Sequence, residues 1–272
     1  MTRRNEDEMQ ISEAELRSMT AAMVEMHEDT FPEMRASLTD AGASLRERGA
    51  AIAGSVASRR GFLAGGGAVV GGLLLTACGS DSKKTSTPST GGSTAPSGGG
   101  GDKSALATNA SLENLAVFAY GSALTDAGKG KFGKTVPAAV AEFAKHAMKQ
   151  HQDHADAFNA ALKAAGGTEF TKPDPALAAA VIKLYGGVNS VPALAKLALT
   201  LENTAAATYT KQMGELTSPA ALSAVATIAP VERQHAAILS YVLGEYPVPD
   251  TFVKLDATPT SLGARPSTDA GV

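Results

Sequence analysis

Glu232-Arg233-Gln234-His235 lies inside an apolar run from Ala220 to Gly244. A Glu and a His three residues apart project about 60° apart around a helix, so both belong to one face. That face is otherwise apolar, flanked by Ile228, Val231, Leu239 and Val242. A carboxylate and an imidazole on such a stripe are costly to bury unless a partner neutralises them, and a metal ion is one such partner. An ion needs further ligands, and the chain repeats the pattern. His151-x-x-His154-Ala155 matches Glu232-x-x-His235-Ala236, and Glu113-Asn114-x-Ala116-x-x-x-Tyr120 matches Glu202-Asn203-x-Ala205-x-x-x-Tyr209.

Four helices must carry these residues. The first is expected from about Ser104 to Asp126, with Leu106, Ala110, Glu113, Val117, Tyr120 and Leu124 on one face at three-to-four spacing. The second starts near Pro137 and stops at Gly166-Gly167; its inner face reads Phe143, Ala147, His151, His154, Phe158 and Leu162. The third, from about Pro192 to Leu216, aligns Leu194, Ala198, Glu202, Ala205, Tyr209 and Met213. The fourth opens with Ser218 as cap and Pro219 in the first turn, and ends at Gly244. The two halves read as a duplicated helical hairpin. The connection from Gly167 to Val191, with a short helix near Pro175 to Tyr185, is long enough to return along a bundle edge.

Composition narrows the function. The net charge of −3 and the absence of a basic cluster outside residues 58–63 argue against nucleic acid as a partner. Trp is absent, which disfavours a sugar- or base-stacking surface, and the single cysteine, Cys78, excludes a disulfide framework and a cysteine-ligated zinc site. The chain divides into residues 1–57, charged and Met-rich; 58–78, basic then apolar; 79–104, a Gly/Ser/Thr/Pro tether; 105–250, Ala-rich and periodic; and 251–272, expected as a disordered tail. A tether of roughly 25 residues reaches about 25–30 Å.

Ser58-Arg59-Arg60-Gly61-Phe62-Leu63 resembles the twin-arginine export consensus. The apolar stretch after it is too short and glycine-rich for a good membrane span, and it ends in Leu75-Thr76-Ala77-Cys78, which resembles a lipobox. This order implies the twin-arginine export machinery as a partner, cleavage before Cys78, and a lipid on Cys78 that anchors the protein to the outer face of the cytoplasmic membrane or holds it in the periplasm. Residues 1–57 are long for the start of a signal. Either translation begins downstream, at Met34 or near Val56, or a cytoplasmic extension precedes the signal; both leave the segment out of the mature protein. Ser12-Glu13-Ala14-Glu15 reads as a helix capping box there, and His27 and His146 are expected to face solvent.

Residues 105–245 resemble the ferritin-like superfamily, in particular its exported bacterial members. The resemblance implies an all-α, ferritin-like four-helix bundle of two antiparallel hairpins joined by one long crossover. It implies Glu113 and Glu202 as terminal carboxylates, His154 and His235 as imidazole ligands and Glu232 as a bridging carboxylate. His151 stands where a second bridging Glu is expected. Tyr120 and Tyr209 become hydrogen-bonding residues around the ligands. Fe or Mn is the implied cofactor, as one or two ions, with Zn also admissible, and Fe(II) oxidation or reaction with oxygen or peroxide is the implied activity. With His151 the set holds three carboxylates and three imidazoles, softer than usual for a dinuclear site. The alternative is a metal-free bundle in which these groups pair with one another, acting as an envelope interaction or stress-protective protein.

Overall fold

A computed structural model describes residues 9–65, 100–248 and 253–266. Its elements are α1 (Glu13–Gly65), α2 (Gly100–Gly128), α3 (Ala138–Ala164), α4 (Ala178–Gly186), α5 (Val191–Gln212) and α6 (Pro219–Val242). The described residues contain no strand beyond an isolated bridge between Thr258 and Ser261. None of their helices is long and apolar enough to cross a membrane. Cys78 and the rest of 66–99 lie outside the described residues.

The expected hairpins are α2–α3 and α5–α6, each packed along its length. Local signals set their ends. Ser190 and Ser218 accept hydrogen bonds from Ala193 N and Ala221 N, with a proline in each first turn. Gly166 and Gly244 stop α3 and α6 at positive φ (76° and 67°), where a side chain would be strained. The crossover carries α4, whose Val181 packs with Leu177 against Leu112, Leu115 and Leu201 at the α2–α5 edge. Each half then repeats one further detail. Asn114 Nδ2 donates to Phe170 O, and Asn203 Nδ2 donates to Thr260 O, so each repeat asparagine holds the chain that follows its hairpin.

Three expectations change. Helix α2 starts at Gly100 rather than Ser104, because buried Asp102 accepts hydrogen bonds from Thr217 N, Thr217 Oγ1 and Ser218 N at the start of α6. The described part of the tail is ordered: Leu262 N and Arg265 N donate to Thr204 Oγ1 and Thr208 Oγ1 on α5. Its Ser/Thr/Gly composition signals a loop, but the hydroxyls along α5 satisfy that loop's backbone.

The largest departure is α1. It lies along the groove between α3 and α6 and touches both, making a fifth helix of the body. Leu16, Thr20, Met23, His27, Met34, Leu38, Ala41 and Leu45 are buried at spacings of three and four, with Phe31 packed beside them. The capping box forms as expected: Ser12 N donates to Glu15 Oε2 (2.8 Å), and Glu15 N donates back to Ser12 Oγ (3.2 Å).

Candidate metal centre

Glu113 (α2), His151 and His154 (α3), Glu202 (α5), and Glu232 and His235 (α6) converge between the two hairpins, each at most 1 % exposed. They form two overlapping groups of potential ligands. One is Glu113, His151, His154 and Glu232; the other is His151, Glu202, Glu232 and His235. His151 and Glu232 belong to both. All six sequence-chosen residues therefore meet in one place. His146 is half-buried.

The pseudo-symmetry extends to the hydrogen bonds. Tyr120 Oη donates to Glu202 Oε1 (2.6 Å), and Tyr209 Oη donates to Glu113 Oε1, so each tyrosine orients the carboxylate of the other half. His154 Nδ1 faces Glu113 Oε1 (3.5 Å) and Glu232 Oε1 (3.4 Å), while His235 Nδ1 faces Glu202 Oε2 (3.3 Å) and Glu232 Oε2 (3.7 Å). The opposite nitrogens point outward to His27 Nε2 (3.2 Å) and Gln150 Oε1 (2.7 Å). Burial and then the neighbouring His154 pull His27 down to about 4. Its Nε2 pairs with His154 Nε2, as Gln150 Oε1 accepts from His235 Nε2. Both imidazoles thus turn Nδ1 to the centre, and outer partners of this kind orient a ligating histidine.

His151 breaks the symmetry. Its Nδ1 lies 2.7 Å from Glu113 Oε2 and its Nε2 lies 3.3 Å from Glu202 Oε1, one nitrogen per half. Burial depresses such a group, but Glu202 and Glu232 outweigh burial and hold it well above the usual imidazole range. The same contest lifts His154 to about 9 through Glu113. Burial would raise Glu113, yet His154 and His151 hold it down at about 2, and Glu202 is lowered likewise by His151 and His235. Without a metal, the centre is a lattice of paired carboxylates and imidazoles.

That lattice leaves a gap. Both oxygens of Glu232 and Nδ1 of His154 are fully buried without a hydrogen-bond partner. Buried polar atoms are rarely left so in a native core. Their convergence suits a cation, and hard carboxylate oxygens with imidazole nitrogens suit Fe, Mn or Zn. A crevice of about 20 Å³ between α2 and α5 reaches Glu113, His151 and Glu202, room for roughly one water-sized molecule.

These shifts predict a pH profile for the metal-free protein. His154 is raised, so its contribution to stability is complete below 6.5 and is lost as pH rises through about 9. His27 is depressed, so stability falls as pH drops from 6.5 toward about 4. The melting temperature of metal-free protein should peak near pH 6.5 and decline on both sides, as a calorimetric series from pH 4 to 9 would show.

His27 and Gln150 were missed from the sequence. His27 was expected to face solvent; the structure buries it at 7 % exposure against His154. Its place on the Leu16–Leu45 stripe was the available signal. Gln150 gave none, because a polar residue beside His151 is ordinary on a helix.

No curated protein and no solved structure matches the chain. The family model described as a ferritin-like domain matches residues 101–245, the span that holds α2 to α6 and all six converging residues. The chain belongs to the ferritin-like domain family.

Proposed function

We propose that the protein is a lipid-anchored, extracytoplasmic ferritin-like metal-binding protein that oxidises Fe(II) or reacts with oxygen or peroxide. The observation that carries the metal reading is the buried Glu232 carboxylate, which has no hydrogen bond and is shared by two overlapping groups of potential ligands. Glu113 and Glu202 supply negative charge to either side, each held by a tyrosine hydroxyl that stays protonated because burial and the adjacent carboxylate raise it. Glu232 offers one oxygen to each imidazole, and His151 turns one nitrogen to each terminal carboxylate. Fe or Mn bound there supplies one-electron chemistry toward oxygen species. The α2–α5 crevice is the approach for a small reactant.

A metal-free reading has one observation in its favour: His151 already pairs with Glu113 and Glu202. Proton release separates the two. Because the imidazoles hold protons above their ordinary range, metal binding at pH 7 must expel them. Titration of metal-free protein with Mn(II) in two buffers of different ionisation enthalpy should show at least one proton released per ion. Heats without binding would favour the metal-free bundle.

Export rests on the order of Arg59-Arg60, the apolar stretch and Cys78. Replacing both arginines with Lys should strand precursor in the cytoplasm, and Cys78→Ala should release the protein from membranes. A Cys78→Ala protein that partitions like the native one would refute the anchor.

A further inference from the structure

Helix α1 is fitted to the bundle over the whole length of α3. At its start, Gln10 N donates to Val242 O, and Glu13 Oε2 accepts from Ala139 N (3.2 Å), capping a helix whose own N-cap, Pro137, makes no side-chain cap. Further along, Gly42 lies flat against α3: a Cβ there would fall on the Ala161 carbonyl oxygen and within 2.8 Å of Ala164 Cβ. Between these points both outer acceptors of the centre depend on α1. His27 belongs to it, and Gln150 Nε2 donates to Met23 O (3.4 Å). Between α1 and α6 runs a cleft of about 230 Å³ whose lining includes His27, Phe31, Met34, His154, Thr227 and Ile228. Because α1 forms one wall of this cleft, removing it would open the His154 side of the centre.

Cys78 lies between α1 and α2, so a cut before Cys78 separates the helix from the domain it covers. We propose that α1 is a cover for the metal centre, seated in the precursor and removed on processing, with His27 as the positioning residue for His154 while it is in place. The precursor thus holds a closed centre with the outer partners of both imidazoles in place. The processed protein holds the same ligands with the His154 side open. This rests on the export and processing reading above.

The test compares two natural species, precursor from the cytoplasm and processed protein from the envelope. Hydroxyl-radical oxidation of His154 is followed by peptide mass spectrometry, with half-buried His146 as internal reference. His154 should react at least about tenfold more slowly in the precursor, since a covered site reacts only through its open fraction. In the full chain, Gly42→Leu should raise His154 oxidation toward the processed level. Gly49→Leu, at a position with nothing within 4 Å, should leave it unchanged. Equal oxidation of the two natural species would overturn the cover, whether or not the Gly42 variant folds. Envelope protein that still carries residues 13–65 would overturn its removal and make α1 a permanent fifth helix. The readout needs no metal, so a chain that shows the oxidation difference yet binds no ion refutes the metal reading alone.

Discussion

A Glu232→Gln protein should melt at nearly the same temperature with and without Mn(II), whereas the native chain should gain about 5–10 °C. The expectation follows from linkage. A ligand at about 100 times its dissociation constant stabilises the native state by ~2.7 kcal/mol, and each kcal/mol moves the midpoint of a chain this size by roughly 2–4 °C. Glu232 faces both His154 and His235, so one substitution weakens both ligand groups. The metal-free midpoint should fall as well, because the carboxylate faces the imidazoles of His154 and His235, so the diagnostic quantity is the shift on adding Mn(II) within each protein. A variant that keeps the full metal-dependent shift would show that ions bind elsewhere.

His151→Glu should have the opposite signature. In the metal-free protein it sets a fourth carboxylate between Glu113 and Glu202 and removes the group that pairs with both. Breaking a buried pair and leaving its charge uncompensated costs about 3–5 kcal/mol. At roughly 2–4 °C per kcal/mol, the metal-free midpoint should fall by about 6–20 °C. Added Fe(II) or Mn(II) should restore it, because the substitution also supplies a second carboxylate able to bridge. Ion counting should then find two equivalent ions per chain in the variant, against a second, weaker ion in the native chain. Melting curves with and without metal, beside elemental analysis, read both effects. A variant as stable without metal as the native chain would mean that His151 is not charged in the empty centre.

The bundle and the convergence of its six Glu and His residues were legible because the duplication writes each half twice. Glu113-Asn114 and Glu202-Asn203 share one local environment, and so do the two x-x-His-Ala segments, so a polar residue on one apolar stripe vouches for its counterpart. The cross-half pairing of Tyr120 with Glu202 and Tyr209 with Glu113 was not legible. It depends on how antiparallel helices register, and helical periodicity within one helix carries no such information. The packing of helix α1 on the bundle was overlooked for another reason. Its stripe from Leu16 to Leu45 is diluted by Met, Thr and His among many charges, and its position ahead of an export-like motif drew attention to removal rather than packing. Gly42 was unreadable for a similar reason: a glycine in a helix costs stability unless another backbone rests on it, and only the folded body shows that backbone. The ordering of 253–266 likewise depends on hydroxyls of α5 far away in sequence.

The central claim is that the buried Glu/His cluster holds metal. Its most direct test is elemental analysis of the full chain, purified without chelator from cells supplied with Fe and Mn and dialysed against metal-free buffer. Between one and two ions per chain are expected, lost together in Glu232→Gln. No bound ion, together with no melting shift on adding Fe(II), Mn(II) or Zn(II), would contradict it and leave a metal-free bundle in which His151 neutralises the carboxylates.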